Sequence, residues 1–199
     1  MSRKDKKSNF FDENYNKSWT YLRKSRNFVF AGIAFFFFFV LVGILIPAPE
    51  IIQQKIFELI EELLRKTEGM SQWQLIKFLF LNNVQSAFFG MILGFGFGIF
   101  SMISIMVNGY LIGFVALKSV EVGGIFILWK LLPHGIFELP ALFISVGLGL
   151  RLGSFLFRRN REEGLGNYFR ESLRVFVFIV IPLLILAAII EGSLIYLFR

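Results

Sequence analysis

Residues 28–46, "FVFAGIAFFFFFVLVGILI", hold no charge and no polar side chain. An uncharged apolar run of this length matches the roughly 20 helical residues that cross a bilayer core. Three further apolar stretches follow, at about 84–107, 135–157 and 175–198, with a fourth, less regular one at 110–132. Within hydrocarbon the backbone has no water to bond, so such runs must be helices. The chain is 56% hydrophobic over 199 residues, too apolar for a soluble domain of this size. The expected fold is therefore all-α: a polytopic transmembrane helix bundle of about five spans in one domain, 28–198. A basic arm, residues 1–27, precedes it.

The arm contains "RKDKK" at 3–7, expected to be disordered. It continues with "SWTYLRKSRN" at 18–27, an aromatic and basic stretch suited to the membrane interface, with Ser18 as an N-cap. No segment has the features of a cleaved leader, so the first run is expected to stay in the membrane. The five phenylalanines at 35–39 read as lipid-facing bulk.

Pro47 and Pro49 close the first span. Beyond them "EIIQQKIFELIEELLRKTEGM" (50–70) is amphipathic rather than apolar. Ile52, Ile56, Leu59 or Ile60, and Leu63 recur at helical spacing, and Glu61–Arg65 and Glu62–Lys66 are favourable i,i+4 pairs. Its apolar stripe must meet lipid headgroups, the bundle or a partner. Ser71 and Gln74 have capping-box spacing at the start of another helix. Together these amphipathic helices form an insert, 50–82, between spans one and two.

In span two Gly90, Gly94 and Gly98 recur every four residues, the spacing that lets helices approach closely. Asn108-Gly109 reads as a tight turn, with Gly113 again four residues on. The 110–132 segment is expected to be interrupted or re-entrant around Lys118, Glu121 and Gly123-Gly124. Lys and Arg concentrate before span one and between the last two spans, at 158–174. By the positive-inside bias the N-terminus is cytoplasmic, and the insert and C-terminus are outside. The same bias accounts for the net charge of +7 without nucleic acid, which is not expected as a partner.

The polar residues inside the fourth span are the candidates for function, because ionisable groups in a membrane are costly. His134 and Glu138 share a helix face, Pro133 suits a first turn, and Pro140 frees the Ile136 carbonyl. Three readings stay open: a packing network with Asn82, Asn83, Gln85 or Asn108; a proton or ion relay; and a metal or catalytic site. The last is weakest. One His and no Cys cannot supply a usual zinc set, and no nucleophile–base spacing is present, so no enzyme activity, metal or cofactor is expected. Arg151 lies roughly 20 Å along the helix from Glu138. It is expected to snorkel to the cytoplasmic surface, among Gly147, Gly149 and Gly153.

"PHGIFELPALFISVGLGLRLG" (133–153) resembles the signature of the stage II sporulation protein M family. The match extends to "LNN" at 81–83, "NG" at 108–109 with Gly113, and the basic "RKSRN" before span one. The resemblance implies a multi-pass membrane protein. It marks Asn82, Asn83, Asn108, Gly109, Pro133, His134, Gly135, Glu138 and Pro140 as a shared element without giving them a chemical role. In endospore-formers it implies a protein that localises wall-degrading enzymes rather than cutting the wall itself. The first expectation is thus a non-enzymatic scaffold in the cell membrane. Its partners would be the lipid bilayer and membrane proteins, a second copy among them. The alternative is a transporter or channel component with His134 and Glu138 lining a polar path.

Overall fold

The structure, a computed structural model, describes residues 3–96, 98–126, 128, 132–157 and 164–198. Among these residues it is all-helical: α1 (Arg3–Leu45), α2 (Glu50–Thr67), α3 (Gln72–Ile92), α4 (Ile99–Gly123), α5 (Leu132–Ser154), α6 (Leu165–Val175) and α7 (Ile181–Leu197). Four segments are long and apolar enough to cross a membrane: Phe10–Leu45, Gln72–Ile92, Ile99–Gly123 and Leu165–Leu197. The chain is thus an α-helical membrane bundle.

Paired contacts fix the helix directions. Gly109 and Gly113 of α4 lie on the Phe36 and Val40 carbonyls of α1, so these two run parallel. Gly147 meets Val29 and Phe143 meets Phe36, so α5 runs against α1. Asn83 reaches Glu138 and Gly90 meets Val146, so α3 runs with α5. Gly192 meets Ile76 and Phe176 meets Phe88, so α7 runs against α3. Successive long helices therefore alternate in direction. α5 touches α1, α3, α4 and α7, and its Ala141, Val146, Leu148 and Leu152 are fully buried.

Several boundaries differ from the sequence reading. Residues 3–7 belong to α1, and Ser18 is buried in mid-helix, donating to the Asn14 carbonyl instead of capping. The arm precedes the first Gly (Gly32) and the first Pro (Pro47), so nothing in it breaks the helix. The run expected as one span at 84–107 is two helices. A 3₁₀ turn at Leu93–Phe95 and Gly98 at φ 75° reverse the chain, a conformation open to glycine. Gly90 thus lies in α3, Gly94 in the 3₁₀ turn and Gly98 at the cap of α4, so the three do not line one helix face.

Asn108-Gly109 is not a turn but the middle of α4, where Gly109 serves close packing. The interruption expected within 110–132 falls at Gly124 (φ 73°). Residues 110–123 continue α4 and are not half of a re-entrant hairpin. The basic stretch between the last two spans, 158–174, is helical from Leu165, and 158–163 lie outside the described residues. Ahead of Pro182, which lacks an N–H, the helix widens into a π turn at Phe176–Val180. In the phenylalanine run Phe37 and Phe38 face outward, whereas Phe36 is buried edge-on against Phe143.

Candidate functional site

Among the described residues two polar clusters join helices inside the bundle, and α5 contributes to both. The first joins α3 to α5. Asn83 is buried, and its Nδ2 donates to Glu138 Oε2 at 2.8 Å. Asn82 Nδ2 donates more weakly to Asn83 Oδ1, at 3.4 Å. Further along the same crossing, a Cβ on Gly94 would fall 2.0 Å from the Gly149 carbonyl oxygen. Ser101 donates to the Gly90 carbonyl at 2.7 Å. Bare backbone there draws α3 and α5 together, which lets the short Asn83 side chain span the gap. Glu138 itself is half-buried.

Of the other expected members, Asn108 donates to the Ser104 carbonyl of its own helix and does not join Glu138. Gly109 and Gly113 pack α4 on α1. Pro140 is inside α5 and exposed, and Gly153 is buried. Pro133, His134 and Gly135 occupy the first turn of α5, but their surroundings lie outside the described residues.

The second cluster centres on Arg151, and here the expected snorkelling is overturned. Arg151 is buried. Its Nη1 donates to the Tyr21 carbonyl at 3.1 Å and to Ser25 Oγ at 2.7 Å. The guanidinium lies 4.0 Å from the Tyr21 ring centre and 5.5 Å from that of Tyr168. The Tyr21 hydroxyl is within 3.3 Å of the Tyr168 carbonyl and 3.4 Å of Ser172 Oγ. The physical cause is Gly147. A Cβ there would lie 2.9 Å from the Val29 backbone, so α1 closes over α5 and covers the arginine. One guanidinium thus ties α1, α5 and α6 through hydrogen bonds and stacking. Tyr21, Ser25 and Tyr168 carried no signal for this role, because their separation from Arg151 in sequence hides the contact.

A third polar surface is the insert. Its Ser71–Gln74 capping box is formed in both directions. Lys66 bonds Glu62 at 2.7 Å and holds that carboxyl below its ordinary range. Only Ile56 of α2 is fully buried, while Phe57 rests on Phe114. A cleft of about 550 Å³ between the end of α2 and α7 is lined by Glu61, Leu64, Arg65, Thr67, Glu68 and Ile195.

A family model described as stage II sporulation protein M matches residues 32–194. An uncharacterized protein of Methanocaldococcus jannaschii is 36% identical over 109 residues, 52% of this chain and 49% of that relative. The chain thus matches about half the length of this curated relative. No solved structure matches.

Proposed function

The chain belongs to the stage II sporulation protein M family, and we propose that it is a non-enzymatic scaffold that localises a membrane-associated complex. In this reading it crosses the cell membrane five times, with its N-terminus cytoplasmic. The alternating helix directions, the basic residues in the first part of α1 and those at 158–174 support that orientation. Where a cell builds spores, the localised complex would be wall-remodelling machinery.

One observation carries the reading. α2 stands apart from the bundle, attached through Ile56 and the Phe57–Phe114 contact, and turns Glu58, Glu61, Glu62, Arg65 and Lys66 outward. Of the interior polar groups, by contrast, Asn83, Ser101 and Arg151 make hydrogen bonds that join helices. A docking surface outside and cross-links inside suit a holder of other proteins.

The test is affinity capture from native membranes with the parent chain and with Glu58→Lys/Glu61→Lys. Both positions are exposed, so the bundle should be unaffected. Loss of a specific set of captured membrane proteins in the variant supports docking through α2. The same set from both chains would refute it.

A further inference from the structure

We propose that α2 lies in the phospholipid head-group layer on the side of the membrane opposite the N-terminal arm, with one edge of its apolar face dipping into the acyl boundary. The apolar face divides into two neighbouring strips. One, of Ile56 and Ile60 with the polar Gln53 and Thr67 at its edge, is buried or half-buried. Beside them Ile52, Leu59 and Leu63, spaced i, i+7 and i+11, form a second strip that remains 47–58% exposed. The bundle therefore accounts for only part of an apolar face that must be covered somewhere.

Three observations favour a lipid surface over a protein as the cover. First, α2 is held at membrane depth at both ends. Four residues separate it from the end of the first span at Leu45, and α3 starts at Gln72 with Trp73 exposed. Tryptophan so placed is typical of the interface. Second, the order of side chains around the helix is that of an interfacial helix. Lys55, Lys66 and Glu62 border the exposed strip; Lys66 is paired with Glu62, and Lys55 is the cation placed to reach lipid phosphates. Glu58, Glu61 and Arg65 follow, further from the strip. Third, Leu41, Leu45 and Ile46, which precede α2 in the chain, are likewise apolar and exposed.

The strip would enter the boundary by about 5–10 Å, leaving the charged face in water. This does not depend on a docking partner: if capture through α2 fails, the placement still stands.

The chain has no cysteine, so single cysteines can be introduced cleanly. Leu59→Cys, Leu63→Cys, Glu58→Cys and Arg65→Cys each carry a nitroxide on the full chain in phosphatidylcholine/phosphatidylglycerol liposomes. Collision rates with oxygen, enriched in lipid, and with a water-soluble nickel chelate are compared. The expected result is several-fold oxygen excess at 59 and 63 and the reverse at 58 and 65. Nickel access at 59 and 63 equal to that at 58 and 65 would overturn the proposal by placing the strip in water. Low collision with both reagents would also overturn it, showing that protein, such as a second copy, covers the strip.

Discussion

Replacing Gly113 with alanine tests the bundle at a close backbone contact between long helices. α1 and α4 cross through Gly43, Gly109 and Gly113. A Cβ on residue 113 would lie 2.1 Å from the Val40 carbonyl oxygen and 3.0 Å from its carbon, where ordinary contact begins near 3.4 Å. The obstacle is backbone, so no rotamer change relieves it and the helices must part by more than an ångström. Overpacking typically costs about 1–3 kcal/mol, and a backbone clash belongs at the upper end. Alanine's helix propensity returns up to about 1 kcal/mol. The net loss of about 1–2 kcal/mol lowers the melting temperature by roughly 2–8 °C for a chain of this size. Gly32→Ala is the control. Its Cβ meets only Ile105 Cδ1 at 3.5 Å and Val146 Cγ1 at 3.7 Å, so it should melt at or above the parent. Thermal unfolding in detergent, followed by size-exclusion fluorescence, reads both. If Gly113→Ala is as stable as the parent, or if Gly32→Ala falls equally, the reasoning about backbone crossing fails.

Arg151→Lys should destabilise by roughly 1.5–3 kcal/mol, since an ammonium cannot keep both hydrogen bonds and the stacking on Tyr21; denaturant melts in micelles would show it. Asn83→Leu should cost about 1–3 kcal/mol by removing the donor to Glu138, whereas Glu138→Gln keeps an acceptor and should change stability by less than about 1 kcal/mol. On the scaffold reading, liposomes carrying the parent or Glu138→Gln should show the same pH-driven proton flux as empty ones. A flux in the parent that Glu138→Gln abolishes would favour a transporter instead.

The fold class was legible because hydrocarbon permits so few structures: a run such as 28–46 can only be helix. The amphipathic insert and its capping box were legible for a similar reason, since each is a short-range pattern of one helix. The break near residue 95 was not. "GMILGFGFG" (90–98) serves both close packing and chain reversal, and only Gly98's backbone angle separates the two uses. Asn108-Gly109 misled in the opposite sense, as a turn signal set inside a helix that needs a bare face against Phe36. In the candidate site, the Asn83–Glu138 bond was among the partners that spacing allowed. The burial of Arg151 was not foreseeable, because it follows from the approach of α1 over Gly147. A snorkelling arginine and a caged one share the same local sequence.

The scaffold reading meets its most direct test in site-specific photo-crosslinking within native membranes. A photoreactive residue replaces Glu61, on the charged face of α2, or Leu41, exposed on the apolar surface of α1. The account predicts discrete protein adducts from position 61 and lipid adducts alone from position 41. No protein adduct at 61, with the chain intact and inserted, would contradict a docking role for the insert.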